Sequence, residues 1–284
     1  MTSRTPVLGQ YLRARRARLD PGALGLADDG RRVPGLRREE VAERAGISRD
    51  YYTRLEQGQG HQMSDQVMNS LAEALQLDSV ERTYFERIAR GDQPRLPRPT
   101  EPVPVSDQVL TLLKSWSHVP AHLFDSNLDI IAINEMGDYL SPLYSLYGQN
   151  SVLSALGMMR DHPEYEGYLH VVRSTVAALR FYGDPANPRY RELVGEASVE
   201  YPIFRTLWSE HEARPLTDGT FWVSIDGSEP VQIPWQVLEV PGGFFLAFRP
   251  VREGTRAHEL FAQVRETRLT GRGIRGPLKG WPAA

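Results

Sequence analysis

Apolar residues recur every three to four positions through most of the first ninety residues, and that period predicts helices. In residues 7–18, Val7, Leu8, Tyr11, Leu12 and Arg15 share one helical face, while Arg13, Arg16 and Arg18 lie largely on the other. Residues 19–36 hold four Gly and two Pro, which break the period and read as a loop. The pattern resumes as two short helices, 36–45 and 48–57, around Gly46, with Ser48 as an N-cap and Gly58 as a stop. Ser64 opens a helix to residue 75 with Val67, Met68, Leu71, Ala72 and Leu75 on one stripe, and a fifth helix spans 79–90. Five helices in so short a stretch predict an all-α unit, residues 1–90.

Residues 91–106 contain five prolines in sixteen positions, a composition that excludes helix and marks a linker. Beyond it the pattern changes. A helix over 107–117 is followed by strand-like runs at 120–124 and 128–133, then by helices at 163–181, 188–197 and 201–212. The period then shortens to two: 220–225, 231–240 and 244–251 read as strands, joined by turn signals at Asp226-Gly227 and Pro241-Gly242-Gly243. Strands at both ends with helices between predict an α+β domain with an antiparallel sheet, residues 107–264. The last twenty residues, 265–284, mix Gly, Pro and basic side chains and read as a flexible basic tail.

Charge sharpens this division. The chain of 284 residues has a net charge of -3, yet residues 1–60 carry 12 Arg against 8 acids, and residues 91–284 carry 18 Lys plus Arg against 23 acids. Positive charge therefore gathers in the first unit. With no cysteine there is no disulfide, thiolate metal site or thiol nucleophile. No apolar run is long enough to span a bilayer, and the N-terminus has no apolar signal stretch, so no membrane association and a cytoplasmic location are expected.

The two helices around Gly46 carry the functional argument. A steep crossing with almost no linker needs small residues where the helices approach and a left-handed residue at the turn, which Ala42 and Gly46 supply. Val41, Ala45, Ile47, Tyr52 and Leu55 then face inward. Arg49, Asp50, Tyr51 and Arg54 are left on the outer face of the second helix, where a recognition helix meets the major groove. An Arg can bond guanine O6 and N7 together, and a carboxylate can accept from cytosine N4. Those four are the candidate base readers. Arg37 and Arg38 near the start of the preceding helix, with Ser48 and Gln57, are the candidate phosphate contacts, which position and do not specify.

The run from Gly35 to Gly58 resembles the Xre family of helix-turn-helix transcription regulators, and Pro34-Gly35-Leu36-Arg37-Arg38-Glu39-Glu40-Val41-Ala42 with Tyr51-Tyr52 is similar to its MmyB-like branch. The likeness continues past the linker at Val119-Pro120-Ala121, 128–134, 175–180, 193–196 and 204–211. The resemblance implies a sequence-specific regulator that binds double-stranded DNA as a homodimer, with half-sites about 34 Å apart. It also implies a PAS-like C-terminal domain modulated by a small apolar ligand of the fatty-acid class, and no cofactor besides such a ligand. Asn134, Phe204, Trp208, His211, Trp222 and Phe245 are the candidate pocket residues. The sequence departs from the family pattern at Met63-Ser64, where Pro-Ser is usual, at Glu212, where Asp is usual, and at Gln232-Ile233-Pro234-Trp235, which lacks a His-Pro step.

Enzyme-like patterns dissolve. Gly271-Arg272-Gly273-Ile274-Arg275-Gly276 matches G-x-G-x-x-G, but no strand precedes it and eight residues follow, too few for a dinucleotide-binding unit. His118 and His122 have helical metal-ligand spacing, but Pro120 between them disfavours a helix, so no metal is expected. With no visible nucleophile or acid–base pair, the chain is not expected to be an enzyme. The rival reading is a ligand-binding or protein-interaction module whose helix-turn-helix recruits a protein partner.

Overall fold

The computed structural model describes residues 5–26, 35–59, 63–91, 105–140, 148–163, 167–223, 230–267 and 274–275. The chain forms two compact units, one of Met1–Pro94 with Thr206–Arg214, the other of Arg95–Arg205 with Pro215–Ala284. Most of the expected linker, the Asp226-Gly227 turn and most of the tail lie outside the described residues.

In the first unit α1 (Thr5–Arg18) is followed by a single 3-10 turn (Gly22–Leu24), then α2 (Arg38–Arg44), α3 (Arg49–Glu56), α4 (Asp65–Ala74) and α5 (Ser79–Arg90). Each helix from α3 onward starts where a side chain takes up backbone N–H groups that the helix itself leaves over. Ser48 Oγ accepts from Tyr51 N at 3.1 Å and Ser64 Oγ from Val67 N at 3.3 Å. Asp78 accepts from Val80 and Glu81, while the Glu81 carboxylate accepts from Asp78 N. The expected helix 36–45 starts later because Arg37 is extended (φ -76, ψ 158) and gives its N–H to Glu40 Oε2 at 2.6 Å. Gly46 has φ 65, as the steep turn between α2 and α3 requires. Leu12, Leu36, Val41, Tyr52, Leu55, Leu71 and Phe85 fill the core. A Cβ built on Gly9 would sit 2.3 Å from the Glu56 carbonyl oxygen, so α1 and α3 meet backbone to backbone.

The second unit starts with α6 (Asp107–Ser115), β1 (Ala121–Phe124), β2 (Ile130–Asn134) and α7 (Glu135–Leu140). Four helices follow, α8 (Ser151–Asp161), α9 (Gly167–Tyr182), α10 (Pro188–Glu200) and α11 (Pro202–Ser209), the last of which is grouped with the first unit from Thr206 onward. It closes with β3 (Asp218–Val223), β4 (Val231–Val240), β5 (Phe244–Phe248), α12 (Arg256–Thr267) and β6 (Ile274–Arg275). The strands form one antiparallel sheet in the order β3-β4-β5-β1-β2-β6. The long return that places β5 beside β1 pairs Ala121 with Phe248 and Phe124 with Phe245. This is the α+β arrangement with an antiparallel sheet that was expected.

Because successive side chains on a strand point to opposite sides, the sheet has two distinct faces. On one, Ala121, Leu123, Phe244 and Leu246 pack with Val109 and Leu113 of α6, and the Trp116 ring lies 5.2 Å from that of Phe248. The opposite face carries His122, Phe124, Phe245 and Ala247. Along β4, Val231, Ile233 and Trp235 are buried while Gln232 and Gln236 are exposed.

Four features correct the sequence reading. Helices α7, α8 and α12 were not foreseen; in α8 every residue from Val152 to Met158 is buried, so no polar face marks the helical period. The helix expected to reach residue 212 ends at Ser209, and His211 beyond it is left-handed at φ 53. Helix α12 runs past the expected tail boundary to Thr267. Finally, Ile274 and Arg275, expected as free tail, pair with Asn134 and Ile133 of β2 as strand β6.

Candidate nucleic-acid interface and ligand cavity

Helix α3 presents its outer face much as its apolar pattern requires. Tyr52, Leu55 and Glu56 are buried, Tyr51 is half-buried, and Arg49, Asp50 and Arg54 are exposed. The Arg49 side chain is 69 % accessible, with Nε 3.7 Å from Glu39 Oε2, a loose surface pair that water or a base edge can replace. Arg54 Cζ sits 5.9 Å from the Tyr51 ring centroid, so the two side chains lean on each other. Arg37 and Arg38 sit at the start of α2, half-buried and exposed respectively. Ser48 Oγ is engaged in capping α3, and Gln57 is exposed at its C-terminal end.

Beneath this face lies a charge network that the sequence reading missed. The Glu56 side chain is 1 % accessible; its Oε1 accepts from Arg16 Nε at 2.7 Å and its Oε2 from Arg38 Nε at 2.6 Å. Arg16 also donates through Nη1 to the Leu36 carbonyl at 2.7 Å. One buried carboxylate thus ties α1, α2 and α3 together and holds the Arg38 guanidinium at the mouth of α2. Burial, and next the charge of Glu56, push the Tyr52 hydroxyl far above its ordinary range, so it stays protonated beside that carboxylate. The clue in the sequence was a glutamate at the inward-facing end of α3, where a solvated charge does not belong.

In the second unit, the sheet face opposite α6 and the helices α8 and α9 enclose a cavity of about 80 Å³. Its floor is the cross-strand row His122, Ala247 and Val237 on β1, β5 and β4, with Trp235, Phe221, Arg249 and Leu216 beside it. Ser151, Ser154, Ala155 and Met158, at successive turns of α8, form the roof with Val171 and Thr175 of α9. Gly219 stands opposite Trp235, and a Cβ there would lie 2.4 Å from the indole; glycine is what lets the ring lie across β3.

The cavity is apolar with a few placed polar groups, the composition of a small-molecule site. Arg249 is 5 % accessible, its Nη1 is 3.5 Å from His122 Nδ1, and its guanidinium lies 5.1 Å from the Phe221 ring centroid. Complete burial, and secondarily the charge of Arg249, hold the His122 pKa well below the usual imidazole value, so His122 is neutral at pH 7. The buried Ser151 Oγ meets no hydrogen-bond partner in the protein. No Asp or Glu is among the described residues lining the cavity.

None of the six side chains expected around a ligand is among the described residues lining this cavity. Asn134 Oδ1 accepts from Ala121 N and Gly137 N, and its Nδ2 donates to the Trp116 and Val119 carbonyls, so this amide fastens α6, β1 and α7 to one another. Phe204 is fully buried outside the lining. Trp208 and His211 belong to Thr206–Arg214, in the other compact unit. Trp222 is 36 % exposed, because the alternation of β3 turns Phe221 and not Trp222 to the cavity. Phe245 is on the cavity side of the sheet but stacks on Phe124 at 5.3 Å and meets Tyr182 at 4.3 Å. His122, weighed in the sequence only as a metal ligand, is in the floor.

Comparison with protein families matches residues 7–85 to a helix-turn-helix domain and residues 105–260 to the MmyB-like transcription regulator ligand binding domain. The chain belongs to the MmyB-like family. This MmyB-like protein is accordingly a DNA-binding transcription regulator with a ligand-binding domain, families of regulatory and not enzymatic character. Comparison with curated proteins gave no match. Among the described residues of this MmyB-like chain no helix is long and apolar enough to cross a membrane.

Proposed function

We propose that the chain reads a specific duplex sequence by inserting α3 into the major groove as a homodimer. In this reading Arg49, Asp50, Tyr51 and Arg54 meet base edges, while Arg37, Arg38, Ser48 and Gln57 meet phosphates. The observation that carries the proposal is the outward, accessible cluster on α3, set on a turn whose geometry is fixed by Gly46 and backed by the buried Glu56. The ligand is an apolar carboxylic acid in the cavity of the second unit, and its binding changes affinity for DNA. Arg249 and the neutral His122 beside a largely apolar wall that also carries Ser151, Ser154 and Thr175 support that class, since an anion in low dielectric needs a cation and hydrogen-bond donors.

The test is selection of duplexes from a random pool, followed by titration at several salt concentrations. Affinity falls steeply with salt as phosphate counterions are displaced. Arg49→Ala relaxes preference at one base position by roughly 1–3 kcal/mol, and Arg38→Ala weakens all sequences alike. Absence of duplex binding at low salt removes the regulator reading and favours recruitment of a protein partner.

A further inference from the structure

The segment Thr206–Arg214 lies inside the stretch matched to the ligand binding domain, yet it is part of the first compact unit, while Arg205 before it and Pro215 after it belong to the second. Leu207 and Ala213 within it are buried. At its end Arg214 Nη2 donates to Asp78 Oδ2 at 2.6 Å and to Glu81 Oε1 at 3.1 Å, the two carboxylates of the α5 capping box, and its Nε lies 3.5 Å from Glu212 Oε1. Two residues further on, Leu216 lines the cavity and gives its N–H to the Tyr182 hydroxyl at 3.2 Å.

From Arg214 a line of charges runs through the first unit to the side expected to meet DNA. Glu81 Oε1 also accepts from Arg15 of α1. The next residue of that helix, Arg16, holds Glu56, and Glu56 holds Arg38 at the mouth of α2. Neighbours on one helix are rigidly related, so a displacement of Arg15 carries Arg16 with it. Arg15 and Glu56 are buried, whereas the Arg214 side chain is 40 % accessible. An ion pair that exposed is weak enough to be made and broken, which suits a latch. Resting on the reading that α3 enters a duplex, we infer that Thr206–Arg214 is the strap by which the state of the ligand-binding domain reaches the DNA-binding surface, with Arg214 as a positioning residue for Arg38.

The experiment measures affinity of the full chain for a duplex selected from a random pool, with Arg214→Met, Arg38→Ala and Leu216→Ala introduced singly and in pairs. Arg214→Met lowers affinity about three- to tenfold, for all sequences alike. In the Arg38→Ala background the same change lowers it less than about twofold, because the side chain through which it acts is gone. Leu216→Ala, which alters the cavity wall and no charge, changes affinity by about threefold or more in the otherwise unaltered chain and by less than about twofold beside Arg214→Met. Amide exchange in 206–214 and the first turn of α5 quickens by about fivefold or more in Arg214→Met and keeps its rate in the sheet, which shows the variant folded. Asp78→Asn keeps an oxygen to cap α5, removes one charge and reproduces part of the same loss. Equal losses with and without Arg38, or no loss at all, overturn the strap and leave the DNA reading standing. Absence of duplex binding by the unaltered chain removes both.

Discussion

The two units hold a guanidinium in opposite circumstances. In the first, the half-buried Arg16 and the outer Arg38 converge on a buried carboxylate that ties three helices together. In the second, Arg249 lines a cavity whose described walls contain no carboxylate, beside a histidine that burial keeps neutral. A charge set among three helices is architecture, whereas a charge that lines an opening can respond to something outside the chain.

Removing Glu56 tests the first half of this contrast most severely. Glu56→Ala leaves the half-buried Arg16 without its carboxylate and costs about 3 kcal/mol, read by denaturant unfolding of the full chain with amide exchange resolved in α1–α3. It also weakens duplex binding, because Arg38 loses its support. A loss under about 1 kcal/mol would mean that the network is ornamental.

A smaller effect of opposite sign is expected in the second unit at Asp125. Burial, and next the charge of Asp129, raise its pKa to about 6, and the N–H groups of Asn127 and Asp129 that it accepts only partly offset this. The folded chain therefore holds a proton that the unfolded chain releases between about pH 4 and pH 6, and stability falls as pH rises through that window. Asp125→Asn keeps an acceptor for both N–H groups, abolishes this slope and stabilises the unit by roughly 2–3 kcal/mol above pH 6. Unfolding at pH 4 and pH 7 checks it; equal gains at both values would sink the assignment.

Gly46→Ala sharpens the comparison by separating conformation from packing. A Cβ at this position meets nothing within 4 Å, so the cost is the left-handed backbone alone, about 1–2 kcal/mol. Smallest of all is Arg249→Met, which exchanges a buried cation for an apolar side chain of similar volume and changes stability by about 1 kcal/mol or less. If it destabilises as much as Glu56→Ala, the two arginines have the same role and the contrast is broken.

The first unit was legible in the sequence because its elements are local. Ser48, Ser64 and Gly46 announce their own caps and turn within four residues, and the outer face of α3 follows from one helical period. The cavity was not legible, because its floor comes from strands some 125 residues apart, and nothing near His122 in sequence shows that Arg249 will lie beside it. That Phe221 and not the neighbouring Trp222 lines the cavity illustrates the sensitivity of strands, in which a displacement of one residue reverses the face. Asn134 misled for another reason: a polar residue closing an apolar strand reads equally as a ligand contact or as a clasp for backbone groups, and four hydrogen bonds make it the clasp.

The clasp at Asn134 also has a corollary for the cavity. It fixes α6, β1 and α7 to one another on one side of the sheet, whereas Ser154, Ala155 and Met158 of α8 face the cavity on the other. Substitutions at those three positions therefore reshape the cavity while leaving the Asn134 clasp and the strand register as they are.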